Sequence, residues 1–577
     1  MNKVYFRHNA EDNQLQINFR YKNSNLNVDR DFNFCRNANE NVIVCLDRIK
    51  NNIEKEFTKK SKKKKQKKSE AAVGNNQDKD IIVPEILVQL LQNDEPVKND
   101  ETFASILNLS EGNGLVLRIL NDYFQIQYNK PWVLTVTLPS VILAGYYLYP
   151  NKLEMQYATK EDSIGIWYKG IMPKSKNIMN IVWEKVGEGL FYCTKNEDIG
   201  HLIRFELKPS NGKEFGPTSE VISKTEVQAG PGFCPFENRH LFTQSRLKDD
   251  RFRVVSYNLL ADYYADSDYS RKELFPYCPP YALNIEYRKQ LFIKEITGYN
   301  ADIICLQELD SKVFELDLVP ILQQKMYEGI LQKKGSTAEG ICIFYQTVRF
   351  DLIRSMSINI GENIANLNIF SNLHSKIAAN KPLMERVTDR ATTLQVVILR
   401  SRDTGHFLIV ANTHLYFHPD ADHIRLLQIG FSMIYVKNVY EELLKEYKLS
   451  LEQLSIIFCG DFNSVPECGI YKLMTEKHVG EDFIDWSSKK EEAVKNVSLE
   501  QPFDFGSACG CPTYTNYTHL FSGCLDYIFY QKNNLEVEQV IPLPTDEEIK
   551  AHIAIPSVVF PSDHIALVAD LKFKSTI

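Results

Sequence analysis

The chain has 577 residues and a formal net charge of −7. It is long enough for several domains, and its acidic balance argues against nonspecific nucleic-acid binding by the whole surface. No apolar stretch approaches the roughly 20 residues of a membrane-spanning helix, and no secretory signal is visible. The 12 cysteines lack paired zinc-finger spacing, which predicts reduced, mostly buried thiols.

The first 245 residues predict three pieces without a catalytic motif. Residues 1–57 alternate polar and apolar side chains, as in a small β-containing segment. Residues 58–83 contain the block Lys59-Lys-Ser-Lys-Lys-Lys-Lys-Gln-Lys-Lys68, whose self-repulsion predicts a disordered linker. A nuclear-import signal and an RNA tether remain alternative functions for it. Residues 84–245 contain short strands separated by turns, which indicates a β-rich, sandwich-like domain.

From residue 246 to residue 577 the pattern changes to alternating strands and helices. Strand-like runs include Val254-Val-Ser-Tyr257, Ile303-Ile-Cys-Leu306 and Ile456-Ile-Phe-Cys459, and apolar residues at helical spacing follow Ile424. This alternation predicts an α/β fold in which two sheets form a sandwich. Functional sites in such folds gather at the ends of strands.

Polar motifs follow or begin these strands, and they form the candidate site. In chain order they are Ser256-Tyr-Asn258, Leu306-Gln-Glu308, Asn412-Thr-His414, Gly460-Asp-Phe-Asn463, Leu525-Asp-Tyr527 and Ser562-Asp-His564. Each alone has an ordinary explanation, such as a surface acid, a core histidine or a loop turn. Together they predict a cation site, because burying so many carboxylates without a cation would be very costly.

The chemistry that suits this set is metal-dependent hydrolysis of a phosphodiester. Asp461 and Asn463 stand two positions apart behind a buried strand, so their oxygens can converge on one hard cation or one attacking water. Such oxygens favour Mg²⁺, with Mn²⁺ as a substitute, and the sequence has no thiolate–histidine zinc quartet. A carboxylate would deprotonate the nucleophile, and a histidine held by an acid would stabilise the transition state.

Longer strings surround these motifs. They include Tyr257-Asn-Leu-Leu-Ala-Asp262, Tyr299-Asn-Ala-Asp-Ile-Ile-Cys-Leu-Gln-Glu308, Asn412-Thr-His-Leu-Tyr416, Thr515-Asn-Tyr517 and Gly523-Cys-Leu-Asp-Tyr-Ile-Phe529. With them the chain resembles the deadenylase-like branch of the endonuclease/exonuclease/phosphatase superfamily. It most resembles the 2′-phosphodiesterase family, mitochondrial enzymes that degrade 2′,5′-oligoadenylate and trim poly(A) tails. The resemblance runs from about residue 228 to the last residue.

The resemblance implies metal-site roles for five residues. Glu308 would be the principal magnesium ligand, with Asn258 beside it. Asp461 would be both the general base and a second metal ligand. Asn463 would bind the metal and the scissile phosphate, and Asp563 would be a further acid on the metal side.

The resemblance also implies roles in catalysis and in substrate binding. His414 would contact the phosphate. Asp526 would orient His564, which would stabilise the transition state. Phe521 would stack on the terminal adenine and Pro419 would form the opposite wall, and stacking of a base on an aromatic ring is worth roughly 1–3 kcal/mol. A plain packing role for Phe521 remains the alternative.

The implied activity is that of a Mg²⁺-dependent phosphodiesterase and 3′-exoribonuclease. Its substrates would be oligoadenylate and poly(A) RNA, with 2′,5′ or 3′,5′ linkages, and it would need no membrane and no obligate protein partner. The implied compartment is the mitochondrial matrix; no presequence is visible, so the cytoplasm is the alternative.

Three other functions remain as alternatives. An abasic-site DNA endonuclease would need a basic face for duplex DNA, which the acidic balance disfavours. A lipid phosphodiesterase would usually need a membrane anchor. A non-catalytic RNA-binding scaffold would be expected to lose metal ligands, whereas this chain has all of them.

Overall fold

The structure is a computed structural model that describes residues 2–9, 11–69, 85–110 and 114–574. For residues 60–69 and 108–110 it describes the backbone only. No helix within these ranges is long and apolar enough to cross a membrane.

The N-terminal part is a single sheet with two helices. Its elements are β1 (Asn2–Asn9), β2 (Gln14–Asn23), β3 (Val28–Asn37), α1 (Val42–Ser69), β4 (Val88–Gln92), β5 (Glu95–Pro96), α2 (Phe103–Ser110), β6 (Leu115–Ile119) and β7 (Asp122–Tyr128). The strand order is β3-β2-β1-β7-β6-β4-β5. Every second side chain from Leu15 to Tyr21 is buried, and α1 packs Val42 and Ile49 into the same core.

The N-terminal part corrects two predictions, one about a domain boundary and one about the lysine block. Strands β4–β7, predicted to belong to a domain of residues 84–245, complete the sheet that β1–β3 begin, through parallel pairing of β1 with β7. Helix α1 continues to Ser69, so the lysine block up to that residue is helical rather than disordered. Lysine is a good helix former, which is consistent with a helical backbone here. Residues 70–83 of the predicted linker lie outside the described residues.

A second β-rich module follows. Its strands are β8 (Trp132–Thr137), β9 (Tyr147–Leu148), β10 (Lys152–Gln156), β11 (Thr159–Gly170), β12 (Glu184–Glu188), β13 (Tyr192–Cys193), β14 (Leu202–Ser210) and β15 (Ser219–Ile222). They form a sheet β12-β11-β14-β15 and the pairs β8–β10 and β9–β13. Trp167 and Phe205 lie at the centre of its core, with ring centroids 4.3 Å apart. The predicted β-rich region ahead of the α/β fold is confirmed.

The remaining residues form the α/β part. Its strands are β16 (Arg251–Asn258), β17 (Ile303–Asp310), β18 (Tyr327–Lys333), β19 (Glu339–Gln346), β20 (Phe350–Asn359), β21 (Thr393–Ser401), β22 (Phe407–His414), β23 (Leu454–Asp461), β24 (His478–Val479), β25 (Leu499–Glu500), β26 (Phe505–Ser507), β27 (Asn516–Tyr517), β28 (Ser522–Gly523), β29 (Asp526–Gln531), β30 (Leu535–Val540) and β31 (Leu567–Phe573). Its α-helices are α3 (Phe236–His240), α4 (Asp262–Ala265), α5 (Pro280–Leu283), α6 (Ile285–Gly298), α7 (Ser311–Val313), α8 (Val319–Gln324), α9 (Ile360–Asn363), α10 (Ser371–Ile377), α11 (Lys381–Thr388), α12 (Asp422–Tyr447), α13 (Gly469–Glu476) and α14 (Asp546–Lys550).

Two six-stranded sheets pack face to face in this part, in the orders β18-β19-β17-β16-β31-β30 and β20-β21-β22-β23-β29-β26. A core that includes Val254, Ile303 and Ile457 lies between them. Helix α6 covers the outer face of the first sheet, and α12 covers that of the second. The predicted two-sheet α/β sandwich is confirmed. Because both faces of the central strands are covered, all eight residues of β23 are buried.

Candidate active site

Three site residues lie in one row across the second sheet. His414 ends β22 and is in register with Asp461 at the end of the parallel strand β23. Asp461 is in turn in register with Asp526, which begins the antiparallel strand β29. The strands β22 and β23 approach closely here. A Cβ added to Gly460 would lie 2.3 Å from the carbonyl oxygen of Thr413, so a larger residue would not fit. Sheet register therefore brings together residues that the chain separates widely.

The first sheet contributes Asn258 and Glu308 from the ends of the parallel neighbours β16 and β17. Glu308 has a φ of 51°, in the left-handed region that glutamate rarely adopts. Its two carboxylate oxygens accept hydrogen bonds from the Asn258 side-chain amide and from the Ala261 backbone N–H, each at 3.0 Å. The strained backbone thus turns the Glu308 carboxylate inward, toward the second sheet.

A buried amide pair ties the two sheets together just below the site. Gln307 Nε2 donates to Asn412 Oδ1 at 2.8 Å, and Asn412 Nδ2 donates to the carbonyl oxygens of Leu306 at 3.0 Å and Cys342 at 3.1 Å. Gln307 and Asn412 are fully buried. Gln307 precedes Glu308 directly, and Asn412 lies two positions before His414. These bonds therefore fix the position of Glu308 relative to His414.

Asn258 links the two sheets at the site itself. Its Nδ2 donates to Glu308 Oε1 and to Asp461 Oδ2, both at 3.0 Å, and its Oδ1 accepts from the Leu260 N–H at 2.9 Å. The amide therefore presents its nitrogen, not its oxygen, to the two carboxylates. In this structure the residue positions Glu308 and Asp461, and its role as a metal ligand stays a prediction.

A chain of hydrogen bonds orients His564. Its Nδ1 lies 2.8 Å from Asp526 Oδ2, and the same carboxylate oxygen accepts a bond of 2.6 Å from the Thr515 hydroxyl. The Ser562 hydroxyl donates to the Asn258 carbonyl at 2.7 Å and accepts from the His564 N–H at 3.1 Å. His564 Nε2 then points to Asp461 Oδ2, at 3.6 Å. The structure thus places Asp526 where the sequence predicted the acid that orients this histidine.

The imidazole of His564 is held in its charged form. Burial opposes the charge, but the carboxylates of Asp526, Asp461 and Asp563 outweigh it and raise the pKa of His564 well above its ordinary value. Burial, and next the Asp526 carboxylate, raise the pKa of Asp461 to about 6. At neutral pH the pair is therefore an imidazolium beside a carboxylate.

His414 has the opposite charge state. Its Nε2 also lies 3.6 Å from Asp461 Oδ2, and it is 4.0 Å from Glu308 Oε1. Burial lowers the pKa of His414 well below its ordinary value, and the Lys334 ammonium and His564 add to the shift. In the part of the chain that the structure describes, His414 Nδ1 has no hydrogen-bond partner. It is a neutral imidazole at the edge of the site.

Asn463 and Asp563 complete the set of predicted polar residues. Asn463 has a φ of 49°, and its backbone N–H donates to Asp461 Oδ1 at 2.9 Å while its Nδ2 donates to the Leu415 carbonyl at 2.9 Å. Asp563 Oδ2 accepts from Asn516 Nδ2 at 3.1 Å. Both residues therefore adjoin the site, Asn463 beside Asp461 and Asp563 beside His564.

The donor set fits a hard divalent cation. Glu308, Asp461 and Asp563 offer carboxylate oxygens, the ligands that Mg²⁺ and Mn²⁺ prefer. Among the described residues, Asp526 Oδ1 and Asp563 Oδ1 are buried without a hydrogen-bond partner, an arrangement that a nearby cation would compensate. Asp461, Asp526 and His564 form a compact group whose ligand atoms lie within 4.8 Å of one another. Since His564 is held as an imidazolium, which cannot ligate a metal, this group is better suited to acid–base work.

The two predicted base-binding residues lie on surface loops. Phe521 is 46% exposed and lies over Gly523, where an added Cβ would come within 2.8 Å of its ring. It follows β27, whose Asn516 forms a bridge to His564, so the hairpin of β27 and β28 borders the site. Pro419 is exposed in the loop between β22 and α12. Their pairing as two walls around one adenine stays a prediction.

Sequence reasoning missed the hydroxyls and one charged pair. Thr515 and Ser562 hydrogen-bond to Asp526 and His564; both stand in motifs quoted above, but nothing in those motifs indicates that the hydroxyls support the acid and the histidine. Lys334 and Glu339 flank the site at the turn between β18 and β19, with Lys334 Nζ 3.9 Å from Glu339 Oε1. Burial raises the pKa of Glu339 to about 7, a shift that no sequence pattern predicts.

Comparison with known proteins agrees with this geometry. Residues 255–564 match the model of the endonuclease/exonuclease/phosphatase family, and residues 130–228 match that of the 2′,5′-phosphodiesterase 12-like N-terminal domain. The chain is 41% identical over 505 residues to 2′,5′-phosphodiesterase 12 of Rattus norvegicus, covering 85% of this chain and 81% of that protein. The Homo sapiens protein of the same name is 40% identical over 505 residues, with coverages of 85% and 80%.

A more distant relative is the CCR4-Not complex 3′-5′-exoribonuclease subunit Ccr4 of Schizosaccharomyces pombe. It is 28% identical over 356 residues, which cover 57% of this chain and 50% of that protein. The resemblance predicted from the strand-end motifs is thereby confirmed. The chain belongs to the endonuclease/exonuclease/phosphatase family, in the group of the 2′,5′-phosphodiesterase 12 relatives.

Proposed function

We propose that this chain is a metal-dependent phosphodiesterase and 3′-exoribonuclease that removes AMP from adenosine oligomers with 2′,5′ or 3′,5′ linkages. One observation carries the proposal. Asp461 lies 3.6 Å from both a neutral and a charged histidine, His414 and His564, and shares the Asn258 amide with Glu308. The printed activities of the relatives, a 2′,5′-phosphodiesterase and a 3′-5′-exoribonuclease, support this substrate class.

In the proposed reaction, a water attacks the phosphorus of the last internucleotide linkage, and the bond from this phosphorus to the ribose oxygen of the preceding nucleotide breaks. That ribose oxygen takes a proton from solvent as the shortened chain leaves, and the other product is AMP. Asp461 accepts the proton of the water, since its carboxyl is ionised at neutral pH with a pKa of about 6. His564 donates a charged hydrogen bond from Nε2 to a non-bridging phosphoryl oxygen, where negative charge develops. Asp526 holds the imidazole in the orientation that this requires.

The proposed cofactor is Mg²⁺, with Mn²⁺ as a substitute. Glu308, Asp461 and Asn463 would hold it, with Asp563 on the same side. When bound, such an ion polarises the phosphoryl oxygens and lowers the pKa of bound water. The buried carboxylate oxygens without hydrogen-bond partners are the observation that supports a cation here.

Tolerance of both linkages is implied by the family resemblance, and the proposed position of the substrate offers a physical reason. The site is proposed to hold the phosphoryl group, and Phe521 and Pro419 to hold the terminal adenine between them. Neither contact reads whether the leaving ribose oxygen is at the 2′ or the 3′ position. The enzyme would therefore require adenine as the terminal base but would accept either a 2′,5′ or a 3′,5′ linkage.

The proposed partners are oligoadenylate and poly(A) RNA, and the proposed compartment is the mitochondrial matrix, with the cytoplasm as the alternative. The compartment rests on the family resemblance alone. Fluorescence imaging of the full chain with a C-terminal tag, against a matrix marker, distinguishes the two.

The test is a digest of 2′,5′-triadenylate, 3′,5′-triadenylate and a uridine trimer by the full chain in Mg²⁺ buffer, with a chelator control. We expect AMP from both adenylates, little product from uridine, and none after chelation. Glu308→Gln, which keeps the shape of the side chain, should be inactive, whereas Glu441→Gln on the exposed face of α12 should be normal. Cleavage of an abasic duplex or a lipid diester in preference to the adenylates would overturn the proposal.

A further inference from the structure

A cavity of about 670 Å³ lies beside α11, outside the reaction centre. Its lining residues are Pro382, Glu385, Arg386, Thr388, Asp389, Arg390 and Glu492. None of them belongs to the set that surrounds Asp461. The lining combines hydrogen-bond acceptors, such as the Glu385 and Asp389 carboxylates, with donors, such as the Arg390 guanidinium and the Thr388 hydroxyl.

The chain around Tyr416 links the cavity to the reaction centre. This residue stands two positions after His414, so the two are at most about 7 Å apart along the backbone. The Arg390 guanidinium lies over the Tyr416 ring, 4.6 Å from its centroid. Arg390 thus contacts Tyr416, and the chain between Tyr416 and His414 joins its cavity to the strand that ends in the site.

The two arginines of the cavity differ in what they already bind. Arg386 is mostly buried and forms ion pairs with Asp420 and with Glu492, the latter at 2.7 Å, so its charge is compensated. Arg390 is 36% exposed, and its nearest acidic partner is Asp389 at 4.0 Å. Among the described residues, the buried Nε of Arg390 has no hydrogen-bond partner. Arg386 is a structural residue, whereas the charge of Arg390 is less compensated and part of its side chain is open to a ligand.

This combination suits an adenine base. Adenine offers an exocyclic amine as donor and ring nitrogens as acceptors, which match a carboxylate and a guanidinium side by side. Arginine planes and tyrosine rings also stack on unpaired bases of single-stranded RNA. A phosphate fits the cavity less well, because the carboxylates of Glu385 and Asp389 would repel it.

We propose that the cavity beside α11 is a second adenine subsite, which binds the base of the second or third nucleotide upstream of the scissile bond, a position that a dimer lacks. The inference rests on the proposed function and extends it, because it predicts that affinity rises with oligomer length. The cavity adjoins the Pro419 loop, because Arg386 in its lining pairs with Asp420, so the upstream adenine would lie beside the proposed pocket for the terminal adenine.

The test compares Arg390→Ala with Arg402→Ala in the full chain. Arg402 is a matched surface arginine that pairs with Asp351 at 2.7 Å near the turn between β21 and β22. KM is measured for an adenylate dimer, an adenylate tetramer, and a tetramer with uridine at the two positions farthest from the scissile bond. In Arg390→Ala we expect KM for the adenylate tetramer to rise about tenfold, a typical value for one lost base contact.

Three comparisons sharpen the expected result. In Arg390→Ala, the rise in KM should be smaller for the dimer than for the adenylate tetramer. In the wild type, upstream uridine should raise KM of the tetramer. In Arg390→Ala, the same uridine should raise KM little further. Arg402→Ala should leave every value unchanged. Equal KM values for the two variants, or an equal rise for dimer and tetramer, would overturn the subsite.

A binding measurement separates this inference from the proposed function. Fluorescence anisotropy of a labelled adenylate tetramer, in chelator, reports affinity without turnover. If the wild type hydrolyses nothing but Arg390→Ala weakens tetramer binding about tenfold relative to Arg402→Ala, the subsite stands and the proposed function fails. If hydrolysis occurs and the two variants bind alike, the function stands and the subsite fails.

Discussion

The two sides of Asp461 carry the same residue type in opposite charge states. On the side we call the His564 flank, Asp526 and Asp563 surround the imidazole and raise its pKa well above the ordinary value. On the His414 flank, the imidazole is buried near Lys334 and its pKa falls well below the ordinary value. Equal distances of 3.6 Å to Asp461 therefore do not mean equal roles. The carboxylates behind a histidine decide whether it stabilises charge or only donates a neutral hydrogen bond.

The loops that continue from each flank differ as well. The His564 flank leads to the hairpin of β27 and β28 with Phe521, proposed to stack on the terminal adenine. The His414 flank leads through Tyr416 to Pro419, the proposed opposite wall for that adenine, and to the cavity at Arg390. The terminal adenine would therefore lie between loops of both flanks, and the cavity would adjoin its Pro419 side.

The largest expected effect comes from removing the carboxylate that both flanks share. Asp461→Asn keeps the shape of the side chain but eliminates the proton acceptor, so kcat should fall by about 10⁴-fold. The measurement is AMP release from 2′,5′-triadenylate in Mg²⁺ buffer, with thermal unfolding as the control for an intact fold. A rate within tenfold of the wild type would contradict the role of Asp461.

The next effect distinguishes the two histidines. His564→Gln should lower kcat by about 10²–10³-fold, because a neutral amide cannot replace an imidazolium at developing negative charge. His414→Gln should lower it only about tenfold, since one neutral hydrogen-bonding group replaces another. Both variants are assayed on the same substrate. Equal losses would remove the distinction between the flanks.

The charge states themselves can be observed by NMR titration of the histidine ring protons in metal-free protein. His564 should remain protonated through pH 7, because its pKa is raised, and His414 should be neutral at pH 6.5, because its pKa is lowered. Asp526→Asn removes the nearest anion and should lower the pKa of His564. A His564 signal that titrates at the ordinary pKa in both proteins would refute this account.

The smallest effect is expected at the base-binding loop of the His564 flank. Phe521→Ala should raise KM for triadenylate about tenfold, because one stacking contact is lost, and should leave the KM of a diester without a base almost unchanged. Leu520→Ala, at an exposed position in the same loop, is the matched control. An equal rise for both substrates would assign Phe521 a packing role.

Much of the α/β part could be predicted from the sequence because its signals are local. The buried run before Asp461 and the helical spacing after Ile424 correspond to β23 and α12. The strand-end motifs predicted which polar residues meet, since strand ends converge at the rim of a two-sheet sandwich. Their exact hydrogen bonds could not be predicted, such as those that the Asn258 amide donates to Glu308 and Asp461.

The N-terminal part shows what local patterns leave out. The pairing of β1 with β7 joins residues more than one hundred positions apart, and nothing within either strand specifies the partner. The lysine block shows a competition between self-repulsion and helix propensity, and in the described portion the helix prevails. Hydroxyls such as Thr515 act through geometry that only the folded chain defines.

The most direct test is Mn²⁺ binding measured by electron paramagnetic resonance. The central claim is that Glu308 from one sheet and Asp461 from the other hold one cation. Wild type and Glu441→Gln should bind Mn²⁺ with equal affinity, and Glu308→Gln and Asp461→Asn should each bind it at least about tenfold more weakly. Wild-type affinity in both site variants would contradict the account.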